Sequence, residues 1–194
     1  LVVGLNPAWQ IIFDIPQFRH GGVHRAESSW SLASGKGINA AKTLAKLGNK
    51  VSILQILAGE NGDRCLRDCE AAGLRSLHVR VPGETRECVT VLGFGGEATE
   101  MIGPFSVPSD ETDEPLMAKL KGCPEFDAIL FCGSMPLGLP ASMPSRILEK
   151  FSKARIFWDS ALPFPEGFGE REAWVNVNFG EFTGRDWPKR VPIL

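Results

Sequence analysis

The stretch Ser34-Gly35-Lys36-Gly37-Ile38-Asn39 gathers two glycines, a cation and an amide where a helical pattern begins. Small residues at a helix start let backbone N–H groups approach an anion, and the helix dipole favours negative charge there. Lys36 adds a point charge, and Asn39, in the first turn, can hydrogen-bond hydroxyl groups. A Walker A loop is excluded, because Gly37 stands where that motif has Ser or Thr. The pattern G-x-G-x-x-G/A is met by Gly35, Gly37 and Ala40. A dinucleotide site also needs a buried apolar strand before the loop and an acid roughly 20 residues further on. Ser28-Ser29-Trp30-Ser31-Leu32 is a poor strand of that kind, and Leu54-Gln55-Ile56-Leu57 offers no acid. Taken alone, the loop reads equally well as an anion site and as a glycine-rich helix start without a ligand.

The other chemistry-bearing residues are scattered. Cys65 and Cys69 lie one helical turn apart, a spacing that suits neither CxxC redox chemistry nor a zinc ribbon. With Cys88, Cys123 and Cys132 they make an odd number and read as reduced, buried thiols. Three histidines, His20, His24 and His78, are too dispersed for a structural metal site.

The elements around the loop follow from hydrophobic patterning. Leu1–Leu5 is a short apolar strand ending at Asn6-Pro7. Ile11–Ile15 is a second β-rich run, and His24–Ala33 reads as an edge strand. A helix is predicted from about Ile38 to Leu47, with Gly48 as its stop. Val51–Leu57 is a continuous apolar run, the mark of a strand buried on both faces. Asn61-Gly62-Asp63 opens a second helix, which ends before Gly73. Leu77–Val81, Glu87–Phe94 and Ala98–Ile102 read as strands, the last two joined by a Gly95-Gly96 turn. Then come a helix at Asp110–Leu120, a strand at Ala128–Cys132, a helix at Ser142–Phe151 and strands at Arg155–Trp158 and Trp174–Val177. A short helix at Phe179–Asp186 is the last. Helices alternating with apolar strands predict a parallel sheet covered on both faces. The β-only segments, about 11–33 and 77–103, predict a separate small sheet.

Composition narrows the function. The chain has 194 residues, the length of one domain with or without an appendage. Lys plus Arg is 21 against 23 for Asp plus Glu, with no basic stripe, so no nucleic-acid partner is expected. No apolar run approaches the ~18 residues of a membrane span. The apolar start, Leu1–Leu5, is too short for a signal peptide and has no basic flank. There is no N-x-[ST] sequon. A cytoplasmic location is expected.

Six motifs occur in order: Asn6-Pro7-Ala8, Ser34–Asn39, Pro82-Gly83-Glu84-Thr85-Arg86, Gly133–Pro140, Asp159-Ser160 and Asn178-Phe179-Gly180-Glu181. Together they resemble the phosphofructokinase B branch of the ribokinase-like carbohydrate kinases, nearest to its 1-phosphofructokinases and tagatose-6-phosphate kinases. The resemblance implies an α/β protein, a three-layer α/β/α ribokinase-like domain with a small β-sheet lid. It implies transfer of the ATP γ-phosphate, with Mg²⁺, to a ketohexose phosphate such as fructose 1-phosphate, fructose 6-phosphate or tagatose 6-phosphate. By the same resemblance Gly35, Lys36 and Asn39 hold the sugar and its phosphate. Arg86 clamps that phosphate, as the fork of a guanidinium suits. Asn178 and Glu181 organise magnesium and the nucleotide phosphates through water. Each has a plainer reading: a solvated hairpin residue for Arg86, a helix N-terminus for Glu181, a turn for Ser134. Arg25 is read either as a lid salt bridge with Glu27 or as a substrate contact. The exposed lid edge suggests a homodimer formed through the lid.

Three departures from the family pattern bear on function. Gln10 stands where members carry an Asp that binds sugar hydroxyls, so an amide is left as the candidate substrate contact. Ser34 stands where the family has a glycine; its Cβ narrows the backbone freedom there, and its hydroxyl can also cap the following helix. The family's Gly-Ala-Gly-Asp motif, source of the anion hole and the base, is absent. The chain by itself is therefore expected to be inactive, as a fragment of a longer kinase, an incomplete sequence or a degenerate paralogue. Two alternatives follow: a non-catalytic sugar-phosphate-binding paralogue, and a dinucleotide-binding domain using Gly35, Gly37 and Ala40.

Overall fold

The computed structural model describes residues 1–105, 107, 109–160, 162–165, 171 and 173–176. Six strands make one parallel sheet: β1 (Val2–Val3), β4 (Ser52–Leu57), β5 (Arg75–Arg80), β8 (Ala128–Cys132), β9 (Arg155–Asp159) and β10 (Ala173–Val175). Their order is β10-β9-β8-β1-β4-β5. Helices α1 (Lys36–Lys46) and α2 (Gly59–Ala71) cover one face, burying Ile38, Ala41, Cys65 and Cys69 with Val2, Ile53 and Leu57. Helices α3 (Ser109–Leu120) and α4 (Met143–Lys150) cover the other, where Leu116, Leu120, Ile147 and Leu148 pack with Phe131, Ile156 and Trp158. The result is a three-layer α/β/α domain. β4 is buried at every position, as its unbroken apolar run requires. Beyond β8 the α1-side face is less covered: Leu130, Phe157 and Trp174 lie in register and stay half-buried.

A second, four-stranded sheet has the order β3-β2-β6-β7. Its strands are β2 (Ala8–Asp14), β3 (Ser28–Ser34), β6 (Glu87–Leu92) and β7 (Ala98–Ile102). β2 pairs antiparallel with β3 and parallel with β6, and β6 pairs antiparallel with β7. This is the lid. Residues 77–80, expected in it, belong instead to β5 at the edge of the parallel sheet, beside β4. An edge strand alternates as a lid strand does: Leu77 and Val79 are buried, while Arg75 and Arg80 are exposed. Lid strand β3 starts at Ser28, four residues later than the pattern suggested. The expected helix at 179–186 lies outside the described residues.

The loop before α1 is shaped by glycine. Gly35, the N-cap, has φ +105°, a conformation that side chains disfavour, and no side chain caps the helix. Ser34 therefore does not cap α1; it ends β3, opposite Ala8. Inside the first turn Gly37 lies against Gly4, just after β1. A Cβ on Gly37 would sit 2.5 Å from the Cα of Gly4. Ala33 is anchored from both sides: its N–H donates to Asp68 Oδ2 at 2.6 Å, and its carbonyl accepts from Lys42 Nζ at 3.0 Å. Lys42 and Asp68 also pair at 2.9 Å. At its far end α1 closes in a Schellman motif, with Gly48 N–H donating to Ala45 O and Asn49 N–H to Leu44 O.

Gly37→Ala should overpack this contact, at a cost of about 1–3 kcal/mol, and lower Tm by about 2–12 °C. Calorimetry checks it. An unchanged Tm would mean that α1 can slide off β1 without loss.

Candidate functional site

β1 is the point where the chain changes direction in the sheet, with β4 and β5 on one side and β8, β9 and β10 on the other. Ligands of open parallel sheets bind at such switch points, beyond the carboxyl ends of the strands. Here that place is a cleft of about 230 Å³ between Asn6, Gly35, Lys36, Arg86, Gly133 and Ser134. It adjoins a second cleft of about 290 Å³ under the lid, lined by Gln10, Lys36, Asn39, Arg86, Thr90 and Glu100. The structure thus brings Gln10, Gly35, Lys36, Asn39 and Arg86 to one place. Asn178 and Glu181 lie outside the described residues.

The floor is built by the ends of β1, β8 and β9. Lys36, half-exposed, pairs with Asp159 at 3.1 Å across the strand ends. Asn6 donates from Nδ2 to Ser134 Oγ at 2.9 Å. Its Oδ1 is buried and has no hydrogen-bond partner among the described residues. Ser160 donates from Oγ to the carbonyl of Gly133 and accepts from the N–H of Leu162, and Gly133 N–H donates to Asp159 O at 2.8 Å. These bonds hold the loop after β8 to the end of β9. Ser134, read as a turn residue, is part of the cleft wall. Asp159 was legible as a motif residue, but its partnership with Lys36 spans 123 positions. No local pattern announces it.

Arg86 enters from the connection between β5 and β6. Glu84, two residues before it, caps α2 from outside: its carboxylate accepts from Asn61 N–H at 2.6 Å and Glu60 N–H at 3.2 Å. A carboxylate belongs at a helix N-terminus. Thr85 is buried, exchanging bonds with the backbone of Ala58. With the connection fixed, the Arg86 guanidinium donates to Asn6 O at 2.9 Å and Pro7 O at 3.3 Å. It is tied to the loop after β1, and it borders both clefts. It is not a solvated hairpin residue.

Under the lid, Gln10 donates from Nε2 to Thr90 Oγ1 at 2.9 Å. Asn39 is exposed, with Ser34 Oγ 3.5 Å from its amide nitrogen. Arg25 and Glu27 form no salt bridge with each other. Cys132 borders the cleft, but burial pushes its thiol up to about 12, with a smaller push from Asp159. The glycine loop lacks the setting of a dinucleotide fingerprint, since the strand before it, β3, is a lid strand outside the parallel sheet. Among the described residues, no three His, Cys, Asp or Glu gather to hold a metal ion, and no helix is long and apolar enough to cross a membrane.

Comparison with known proteins agrees with this geometry. Residues 7–164 match the family described as pfkB family carbohydrate kinase. The tagatose-6-phosphate kinase of Staphylococcus epidermidis is 30% identical over 141 residues, 72% of this chain and 45% of that protein. The chain thus spans about half the length of that relative. The phosphofructokinase-2 of Escherichia coli, solved in complex with fructose-6-phosphate, superposes with a TM-score of 0.79 at 19% identity, over 97% of this chain and 65% of that one. A possible 1-phosphofructokinase from Thermotoga maritima gives 0.75 at 19% identity, over 94% and 65%. At these identities the two structures speak to the fold.

Two outcomes follow. Lys36→Met should leave the Tm of the ligand-free chain within about 2–4 °C of the parent, since a pair this exposed contributes roughly 1 kcal/mol or less. It should weaken binding of inorganic phosphate, read by calorimetry; unchanged binding would remove Lys36 from the anion site. At pH 8 the Cys132 thiol should be ionised in about one molecule in 10⁴, given its raised pKa. A thiol reagent should therefore label Cys123 in the native chain and reach Cys132 only on unfolding, by mass spectrometry.

Proposed function

The chain belongs to the pfkB family of carbohydrate kinases, and we propose that its cleft takes a ketohexose phosphate as acceptor for the γ-phosphate of ATP. Fructose 1-phosphate, fructose 6-phosphate and tagatose 6-phosphate are the candidates. One observation carries the reading: Lys36, Arg86 and Asn39 converge on the glycine-lined N-terminus of α1, at the switch point and beneath the lid. That set matches a ligand with an anionic end and a hydroxylated end.

Each residue has a defined task in this proposal. Gly35 and Gly37 leave the first N–H groups of α1 open, where a phosphate is favoured by direct bonds and by the helix dipole. Lys36 adds charge, and its bond to Asp159 holds it over the strand ends until an anion competes for it. Arg86 already donates two bonds to the loop after β1, so its free N–H groups face the clefts with little conformational entropy left to lose. Asn39 meets sugar hydroxyls. The lid roofs the site and keeps water from the acceptor hydroxyl.

ATP with Mg²⁺ would supply the phosphoryl group and neutralise charge on its oxygens. Mg²⁺ keeps several waters and takes one or two protein carboxylates besides phosphates. Asp159, at the edge of the cleft floor, fits that demand, and Asn178 and Glu181 are proposed as further contacts through water. The Gly-Ala-Gly-Asp motif is absent from this sequence. Sugar-phosphate binding is therefore the part of the function assigned to this chain's own residues, and transfer is assigned to a protein that also carries that motif.

Five free cysteines suit a cytoplasmic location. A homodimer through the lid is proposed on Trp30 and Ile102, which are exposed and share one face of the lid. The Escherichia coli phosphofructokinase-2 has itself been solved in a tetrameric inhibited form.

Thermal-shift titration tests the reading. A ligand at about 100 times its Kd stabilises by about 2.7 kcal/mol, or roughly 5–11 °C in a domain of this size. The expected result is a shift with at least one of the three sugar phosphates that Arg86→Ala abolishes. A shift with NAD alone, or none with any sugar phosphate, would contradict it.

A further inference from the structure

We infer that Glu100 is the carboxylate with which this chain recognises the hydroxyl groups of its sugar, while Gln10 serves only to position the lid. The inference rests on the proposed sugar-phosphate site and names the residue that selects among its ligands.

The register of the lid places Glu100. Thr90 lies opposite both Ile12 and Glu100, and Cys88 lies opposite both Gln10 and Ile102. Side chains alternate along a strand, and directly opposed residues share a face. Gln10, Thr90 and Glu100 therefore lie on one face of the lid, and all three line the cleft that Lys36 and Asn39 bound from below.

Gln10 is committed within that face. Its Nε2 donates to Thr90 Oγ1 at 2.9 Å and also reaches Ile11 O at 3.3 Å, which ties β2 to β6. It carries no charge. Glu100 is exposed to the cleft and makes no hydrogen bond or ion pair with a described residue. Among the described residues that line the two clefts, it is the carboxylate. The cations there are already engaged, Lys36 with Asp159 and Arg86 with backbone carbonyls. None of the described residues neutralises Glu100 before a ligand arrives.

The chemistry then assigns an orientation. Hydroxyl groups donate to a carboxylate in short, charge-assisted bonds. A phosphate is repelled by the same group and drawn to the N-terminus of α1, Lys36 and Arg86. A phosphorylated sugar is thus held with its hydroxylated end toward β7. Because β7 lies two strands from β2, the acceptor stands about 10 Å across the lid from position 10. The hydroxyl pattern it favours differs from that of a site reading the sugar from β2.

The test is calorimetric titration of the full chain with fructose 6-phosphate, tagatose 6-phosphate, fructose 1-phosphate and inorganic phosphate. Glu100→Gln should weaken the best sugar phosphate about 10-fold or more and leave inorganic phosphate unchanged. Glu97→Gln makes the same charge change in the same hairpin, outside the clefts, and should alter neither. Glu100→Asp should keep part of the affinity. Equal sugar affinity in the parent and Glu100→Gln would overturn the inference, as would equal losses in Glu100→Gln and Glu97→Gln. A parent that binds every sugar phosphate no more tightly than inorganic phosphate would overturn the sugar site itself, and this assignment with it.

Discussion

The close contact between Gly37 and Gly4 is the constraint on which the site depends. It brings the first turn of α1 down onto the end of β1, where a Cβ on either residue would approach the other's backbone to within 3 Å. With the helix seated there, Lys36 at its start pairs with Asp159 at the end of β9, 3.1 Å away. Gly35, with its positive φ, turns the chain from the lid into the helix at the same place. The Lys42–Asp68 clamp on Ala33 holds that turn from behind.

The lid is joined to this floor by hydrogen bonds as well as by chain connectivity. Glu84 caps α2, Thr85 is buried against Ala58, and Arg86 bonds the loop after β1. Three consecutive residues thus fix the passage from the parallel sheet to β6. Trp9 N–H donates to Arg86 O at 3.0 Å, which sets where β2 begins to pair. Arg86 therefore has two tasks: it holds lid and floor together, and it presents charge to both clefts. A residue so placed loses little freedom when an anion binds, which favours affinity.

Much of the parallel sheet was legible because fully buried strands are continuous apolar runs, as in β4, and helix ends carry glycine signals, as at Gly48 and Gly73. β5 was misassigned because an edge strand of a parallel sheet alternates as a lid strand does. The motif residues Gly35, Lys36, Asn39 and Arg86 stood out by type and spacing. Their partners did not: Asp159 lies 123 positions from Lys36, and Glu84 lies 23 from Asn61. Pairings of that range are decided by topology, to which local pattern is blind. Glu100 sits in a hairpin of ordinary alternating residues, and only the register of β6 and β7 turns it toward the cleft. Ser34, read as a cap, is displaced from that role because the positive φ that a glycine accepts falls at position 35.

The central claim is that the N-terminus of α1, at the switch point, is where the anionic end of the ligand binds. Amide chemical-shift mapping of the ¹⁵N-labelled chain with fructose 6-phosphate tests this most directly. The largest shifts should fall on the backbone amides from Gly35 to Asn39 and on the Arg86 side chain, with smaller ones along β6 and β7. Shifts that cluster elsewhere, for example on the half-buried row of Leu130, Phe157 and Trp174, with Gly35–Asn39 unmoved, would contradict it.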